Sequence, residues 1–599
     1  MQLDEALRYL GNFGRYQTLV YVLYCLVGCV FSACQMMAMV FIADKPAGYR
    51  CTAPLAAGDA GDVINGSYFA NVSANRVQDG INSSVGFSDV AECFVNSSET
   101  GDSTACTEWE YYFEYGEKTA VSDFDLVCDR AVLGSTAQSI FFGGVLVGSL
   151  VCGALSDILG RKTVLVGAMF LEGVFGICIA FAPSYTVFVA LWFFVGAMEQ
   201  GLNLTGFVYV MELFTPEKRT LAGCLTGVAW GVGVVLITPY AYLLRDWRHM
   251  EIAVSATFLV VAPLSLWIVS ESVRWLVSKG RTDAAEKVLH RIARLNNIKA
   301  PERFLKDNDV VLLEAGEPRV KHAPSDVNEN TDDDDTEPND KGVGTEVKID
   351  TEMRAWKSAD KFRLTEWRKT PLLFRNAFIM CFSWLVSSMV YYGMSLNSSN
   401  LAGDKYLNFF LIGLVEVPGY LVLYFLIEWW GRRPSLSMSH FIAGISSIIC
   451  ACLPPTTEEG ADFTPAILAF ALIGKFFITI SFAVDYVYGS EIFPTSIRNM
   501  GVGVSSFSAR IGGMLAPFVV YLADVSPYIP LNVFGIASVL AAALVLLLPE
   551  TAKKPLPETV ADGEWLARSA VPPRLPRCLQ LGRQQRFDTN GYEAAKSTA

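Results

Sequence analysis

"GALSDILGRK" at 153–162 and "YFLIEWWGRR" at 424–433 share one arrangement, a carboxylate three residues before a glycine that two cations follow. The first reads Asp157, Gly160, Arg161, Lys162. The second reads Glu428, Gly431, Arg432, Arg433. After each comes a matching element, "ELFTPEKR" at 212–219 and "EIFPTSIR" at 491–498, with a glutamate, a proline and an arginine seven residues after the glutamate: Glu212 and Arg219, then Glu491 and Arg498. Four ordered elements in two copies read as an internal repeat, one unit written twice.

The segments between these elements decide the solvent. A chain of 599 residues with 52% apolar and only 18% charged residues is too apolar for a soluble multidomain protein. Its apolar residues fall into twelve blocks, about 17–43, 131–155, 163–183, 186–211, 220–243, 250–269, 375–396, 405–427, 435–453, 464–486, 500–523 and 528–548. Each is close to the roughly 20 residues a helix needs to cross a bilayer. Lipid cannot satisfy open backbone groups, and the blocks are too long for barrel strands, so the expected fold is an all-α membrane protein of twelve transmembrane helices in two six-helix halves. The expected units are an N-terminus at 1–16, a first half at 17–269 with a large loop at 44–130, a connecting loop at 270–374, a second half at 375–551 and a tail at 552–599.

Much of the net charge of −13 lies in "SDVNENTDDDDTEPND" at 325–340, so it describes a polar, disordered insert at about 322–350 and not a basic partner. Counted as a calcium loop from Asp332, the run places Glu337 and Val343 where glycine and glutamate are required. No nucleic-acid partner is implied. The first 16 residues lack the basic start and cleavage site of a signal peptide. The cations at 161–162, 218–219, 432–433 and 498 fall in alternate short loops, which places those loops and both termini in the cytoplasm. "RDWRH" at 245–249 runs against this rule, with two arginines outside. The outer loop holds four cysteines, Cys51, Cys93, Cys106 and Cys128, enough for two disulfides in any of three pairings. It also holds the sequons at Asn65, Asn71, Asn82 and Asn96, as a multi-pass plasma-membrane glycoprotein would.

The loop "GALSDILGRK" resembles the signature of the major facilitator superfamily. "RDWR" at 245–248, "SESVRWLVSKGR" at 270–281, "LVEVPGY" at 414–420 and "YGSEIFPTSIRNMGVGVSSFSARIGGMLAPF" at 488–518 resemble the organic cation, anion and carnitine transporters, a likeness that spans about 1–551. Ser270 and Val273 depart from it, standing where that family usually has prolines. The resemblance implies alternating access to a central site, with Asp157, Gly160, Arg161, Lys162, Glu212, Arg219, Glu428, Arg432, Arg433, Glu491 and Arg498 as gating residues at the cytoplasmic mouth. Pairs between helix-end carboxylates and loop arginines are expected to form and part as the halves rock.

Charges inside a bilayer are costly, and substrate paths are the usual reason to keep them. Glu416, mid-helix beside Pro418, matches the family's buried glutamate and is the expected cation contact. Arg510 stands where cation-selective members have aspartate and anion and carnitine members have arginine. Lys475 adds a second buried cation that suits a carboxylate or pairs with Glu416 or Asp485. Glu199 and Asn203, four apart, share a helix face. Trp384 and Tyr391, seven apart, also share one, and their rings match aromatic substrate contacts of organic cation transporters and suit an ammonium. Glu172 and Asp485 fall within spans as well.

The four histidines are scattered, no cysteine pair has zinc-ligand spacing, and no phosphate-binding loop is present, so neither metal nor ATP chemistry is expected. The reading is therefore a non-enzymatic secondary transporter, without a resident cofactor and with Na+ or H+ as candidate coupling ion. It would act as a monomer on small organic cations and zwitterions such as carnitine. An organic anion exchanger is the alternative within the family, and a non-transporting receptor or scaffold the alternative outside it.

Overall fold

The computed structural model describes residues 3–51, 93–96, 103–106, 108–305 and 370–568, apart from positions 12, 402, 496, 553 and 555 and the stretch 457–461. The sequons at Asn65, Asn71 and Asn82, the acidic insert and the chain beyond 568 lie outside the described residues.

Six spanning helices build the first half: α1 (Arg15–Ile42), α2 (Val132–Leu159), α3 (Arg161–Ala180), α4 (Tyr185–Leu213), α5 (Pro216–Leu244) and α6 (Trp247–Ile268). The second half holds α7 (Pro371–Leu396), α8 (Lys405–Trp430), α9 (Arg432–Cys452), α10 (Thr464–Ile492), α11 (Arg498–Tyr521) and α12 (Ile529–Val545). Several ends differ from the apolar blocks for one reason. Arg161 and Arg432 are the first helical residues of α3 and α9, and α10 runs on to Ile492, because charged motif residues lower hydropathy without breaking helical backbone. Conversely α12 stops at Val545, where Leu547 and Leu548 tighten into three-residue turns ahead of Pro549.

Two of the spanning helices are irregular. α1 widens into a π-helix over Cys25–Phe31, and α8 is interrupted at Val415. Pro418 has no N–H for the carbonyl four residues back, so the ladder breaks there and Glu416 begins a new segment.

The halves meet along α2 with α11 and α5 with α8, where glycines let backbones approach. A Cβ on Gly513 would lie 2.9 Å from the Phe142 ring, and one on Gly227 2.6 Å from the Tyr420 ring. Ser139 Oγ of α2 donates to Met514 O of α11 at 2.7 Å.

At the face that carries the large loop, charges bind the halves together. Lys405 of α8 reaches Asp44 at 2.5 Å and Glu117 at 2.7 Å, Tyr115 donates to Asp404, and Lys45 pairs with Asp524. At the opposite face, which carries the GRK and GRR elements, no described ion pair joins the halves. The structure is thus closed at the loop face.

The loop itself is anchored by two antiparallel strand pairs, β1 (Gly48–Cys51) with β4 (Trp109–Tyr112) and β2 (Phe94–Asn96) with β3 (Ser103–Ala105). Cys93 is bridged to Cys128, and Cys106 is also disulfide-bonded. The two arginines of "RDWRH" are consumed by this architecture. Arg248 pairs with Asp123 at 2.9 Å and donates to Ala180 O, while Arg245 caps α5 in a left-handed conformation and donates to Tyr115 O at 2.7 Å. Their place is set by local bonding, which outweighs the distribution rule for loop cations.

Beneath the first half, Leu3–Tyr9 and Thr282–Leu295 pack a small apolar layer against α1 and α4. Beneath the second, Val560–Arg568 lends the Glu564 carboxylate to the N–H of Leu373 at 2.9 Å, capping α7.

Candidate functional site

Gly160 and Gly431 are the hinges of the repeated element, with φ of 103° and 88°. Each ends one helix and opens the next, a backbone conformation that side-chain-bearing residues avoid. Into the space a Cβ would fill comes a carboxylate: Glu271 Oε2 would lie 2.3 Å from a Cβ on Gly160, and the Glu550 carboxylate 2.9 Å from one on Gly431. These carboxylates take the open N–H groups at the starts of α3 and α9. Arg161 N and Lys162 N donate to Glu271 Oε1 at 2.8 and 3.1 Å. Arg432 N and Arg433 N donate to Glu550 at 3.0 and 3.1 Å.

The side chains then close a network within each half. Arg161 joins Asp157 at 2.7 Å and Glu212 at 3.2 Å, and Ser272 donates to Glu212. Arg432 joins Glu491 at 2.9 Å, and Thr551 donates to Glu491 at 2.6 Å. Lys162 reaches Leu266 O near the end of α6, and Arg433 reaches Leu548 O after α12. Expected bridges between halves are instead internal to each half, because Arg161 and Glu212 end adjacent helices of one bundle, as do Arg432 and Glu491. Glu428, the counterpart of Asp157, is exposed and joins no described ion pair. Arg498 bonds Phe493 O and Thr495, and Arg219 lies in the first turn of α5.

Glu271 with Ser272 and Glu550 with Thr551 escaped the sequence reading, although "SES" at 270–272 and "PET" at 549–551 repeat an acid followed by a hydroxyl after the last helix of each half. The departure at Ser270 and Val273 does not disturb the loop: Ser272 caps the helix Val273–Ser278, and buried Ser270 bonds Tyr16 and Tyr209.

The interior charges sit between the halves. Glu416 and Lys475, neither exposed, pair at 2.9 Å. Lys475 Nζ lies 3.4 Å from the centroid of the Tyr391 ring, and donates to Tyr391 O at 3.1 Å and Ser395 Oγ at 2.7 Å. Tyr391 donates to Glu416 Oε2 at 2.8 Å and receives Trp230 Nε1 of α5 at 3.0 Å. An ammonium in contact with an aromatic face and a carboxylate is thus already present, supplied by the chain itself. Trp384 stands apart from this cage. Its ring is tilted by 55° against that of Tyr486, with centroids 4.3 Å apart, and Phe482 lies between it and Tyr391.

Arg510 of α11 and Glu199 of α4 come from opposite halves and act on one another and on Tyr392 electrostatically, without pairing within 4 Å. Asn203 donates to Glu199 Oε1 at 2.6 Å, leaving Glu199 Oε2 without a partner, as is Arg510 Nε. Tyr392, Tyr420 and Tyr486 gather around these charges, and only Trp384 and Tyr391 of the aromatics were expected from sequence. The others carry no signal beyond being aromatic in an apolar helix. Of the three remaining buried acids of the spans, Glu172 has neither oxygen bonded, Asp485 is bonded by Ser383 and Ser387, and Glu251 of α6, which the sequence did not single out, accepts from Gln35 and Ser255. Two water-sized cavities, each about 20 Å³, lie in the first half beside Tyr209 and away from these charges.

The Major Facilitator Superfamily model matches residues 129–517. The chain is 33% identical to the organic cation transporter protein of Drosophila melanogaster, over 96% of both chains. It is 31% identical to solute carrier family 22 member 3 of Rattus norvegicus, over 95% of this chain and 96% of that one. It is 28% identical to organic cation/carnitine transporter 2 of Mus musculus, over 100% and 99%. Among solved structures it resembles the xylose transporter XylE from E. coli in its inward open conformation, with TM-score 0.51, 15% identity, and coverage of 92% of this chain and 99% of that one. The proton:xylose symporter XylE bound to 6-bromo-6-deoxy-D-glucose gives 0.53 at the same identity and coverage. With twelve helices in two halves and the doubled glycine–cation element at one face, this chain belongs to the Major Facilitator Superfamily and, within it, to solute carrier family 22.

Proposed function

We propose that this multi-pass transporter carries small organic cations and zwitterions such as carnitine across the plasma membrane, as a monomer with both termini in the cytoplasm. The observation that carries the reading is the opposition of Arg510 and Glu199, one from each half, each with an atom lacking a partner. A zwitterion spans them, its carboxylate on Arg510 and its ammonium on Glu199 and the Tyr392 ring, and so ties the halves together through their rearrangement. Lys475 already neutralises Glu416, and Arg510 faces Glu199, so these two pairs carry no net charge and repel neither end of such a molecule. The names of the relatives at 28–33% identity, organic cation and organic cation/carnitine transporters, support the same class.

The loop face is then extracellular and closed, and the GRK-face networks act as the cytoplasmic gate, holding each half rigid at its mouth. Energy comes from the membrane potential and a coupled H+ or Na+ gradient. A lone organic anion, the rival substrate, would meet the carboxylate of Glu199. The test is an uptake panel in cells expressing the full chain, with labelled carnitine, tetraethylammonium and a small aromatic anion, each with and without sodium. Carnitine uptake above that of tetraethylammonium is expected. Uptake of the anion alone would establish the exchanger, and no uptake of any a receptor or scaffold.

A further inference from the structure

Inside the second half, away from Arg510 and Glu199, Asp485 of α10, Ser383 and Ser387 of α7 and His440 of α9 form a polar network in which none of the four is exposed. Ser383 Oγ donates to Asp485 Oδ1 at 2.8 Å and Ser387 Oγ to Asp485 Oδ2 at 2.6 Å. Each hydroxyl has one proton, already directed at the carboxylate, so toward His440 Nε2, at 3.1 and 3.3 Å, each can only accept. Nε2 therefore carries a proton. Nδ1 faces the interior with no partner.

Two neutral hydroxyls do not cancel a buried carboxylate's charge, and a bare charge in a membrane bundle is costly. No cation is at hand to do so. The two serine hydroxyls bond both Asp485 and His440, and neither Asp485 nor His440 joins an ion pair among the described residues. Of the ionisable groups on the surrounding helices, Lys475 of α10 is held by Glu416 of α8. Arg510 of α11 faces Glu199 and Tyr392, while Tyr391 of α7 and Tyr486 of α10 belong to the aromatic wall. α12 contributes no ionisable side chain.

We propose that Asp485 and His440 share one exchangeable proton and form the site at which this carrier binds its coupling ion, a reading that rests on the transport function proposed above. The proton enters at Nδ1. The Nε2–H bond then breaks as a serine Oγ–H bond forms, and the serine's original O–H bond breaks as an Oδ–H bond forms on Asp485. His440 is left neutral with its proton on Nδ1, the serine is regenerated, the carboxylate has become a carboxylic acid, and no electron changes hands. Each carboxylate oxygen already accepts a serine hydroxyl and the network's fourth member presents an N–H, an arrangement that suits a proton better than a metal cation.

Loading this proton is felt at the substrate wall. A protonated Asp485 must itself donate, so one serine has to turn and accept, which re-forms the contact between α7 and α10. Ser383 adjoins Trp384, whose ring packs at a tilt against Tyr486 next to Asp485, and Ser387 lies one turn before Tyr391. Proton occupancy and the position of the aromatic wall are thus set by the same hydrogen bonds.

The test uses the full chain purified into liposomes, with two readouts. Infrared difference spectra between about pH 5 and 8 are expected to show a buried carboxylic acid band in the wild type that Asp485→Asn removes. Carnitine accumulation with an imposed inward proton gradient, divided by accumulation without one, is expected to fall about tenfold in Asp485→Asn and His440→Asn, within the usual range of coupling between two ligands. Should either variant elute as aggregate, Ser383→Ala with Ser387→Ala takes its place. A titrating band undiminished in Asp485→Asn, no titrating band in the wild type, or an unchanged accumulation ratio each overturns the proposal. If the wild type moves no panel substrate, the transport reading fails, and the infrared band alone still decides the proton site.

Discussion

Lys475 places its ammonium 2.9 Å from Glu416 Oε1 and 3.4 Å from the centre of the Tyr391 ring, so the residue expected to greet a substrate cation is satisfied from within the chain. Removing one member of a fully buried ion pair strands the other, at a typical cost of about 3–5 kcal/mol, whereas removing both leaves no bare charge. Lys475→Met is therefore expected to lower the thermal unfolding midpoint of the purified protein more than Lys475→Met combined with Glu416→Gln. A double variant less stable than either single one would mean that the pair stabilises beyond mutual neutralisation.

Glu271 and Gly160 form the next testable relationship. Glu271→Ala opens two N–H groups at the start of α3, a loss comparable to deleting a helix cap, about 1 kcal/mol. Asp157→Asn should cost far less, since Asp157 is 71% exposed and solvent screens its pair with Arg161. Gly160→Ala should be the most damaging of the three, because it combines a left-handed backbone with a collision against Glu271. Surface expression and turnover of the three variants should rank Asp157→Asn, Glu271→Ala, Gly160→Ala from mildest to most severe.

The repeat was legible because its two copies keep glycine, arginine and glutamate at matched places, and backbone geometry demands those residues. Apolar blocks placed all twelve helices but lost their charged ends, since hydropathy cannot tell a polar helical turn from a loop. Glu416, Lys475, Arg510 and Glu199 stood out because charge within a span is costly. The partner of Lys475 was narrowed to Glu416 or Asp485 and that of Arg510 was not legible, because pairing depends on how α8 meets α10 and α4 meets α11, separations of tens to hundreds of residues. Ser383, Ser387 and His440 gave no signal at all, as serine is common in membrane helices and one histidine in isolation carries no pattern.

At the loop face, Lys405 holds Asp44 and Glu117 together across the halves, and the two acids respond to pH in opposite senses. Burial pushes the Asp44 carboxyl up, and Lys405 only partly offsets it. Burial also works against the Glu117 charge, but hydrogen bonding to Lys405 prevails and holds its carboxyl below the ordinary range. A raised acid takes up its proton more readily in the closed state, so mild acidification favours closure through Asp44. The contribution of Glu117 is complete above its ordinary value of about 4.3 and is lost only as pH falls through the depressed value. Spin labels at the loop-face ends of α1 and α8 are thus expected to stay close from neutral pH to about pH 5 and in Asp44→Asn, and to separate in Glu117→Gln and Lys405→Ala. Separation in Asp44→Asn equal to that in Glu117→Gln would contradict this order.

The proposed substrate site assigns charge selection to Arg510 and Glu199. Arg510→Asp places a second carboxylate opposite the first, so a zwitterion loses the partner of its carboxylate and meets a repulsion there, while a simple monocation loses a repulsion. Carnitine uptake should fall by at least about tenfold, the scale of one lost charge-assisted hydrogen bond, while tetraethylammonium uptake is kept or rises. The monocation should also be more sensitive to voltage than the zwitterion, because its own net charge adds about 2.3 kcal/mol per 100 mV to that of any coupled ion and a zwitterion adds none. Glu199→Gln should act in the opposite sense, relieving a small aromatic anion and weakening tetraethylammonium. Loss of activity alone would not separate binding from folding, so surface protein is measured beside each rate. Arg510→Asp that reaches the surface and still moves carnitine at the wild-type rate would remove Arg510 from the substrate path and leave it a packing role between α11 and α7.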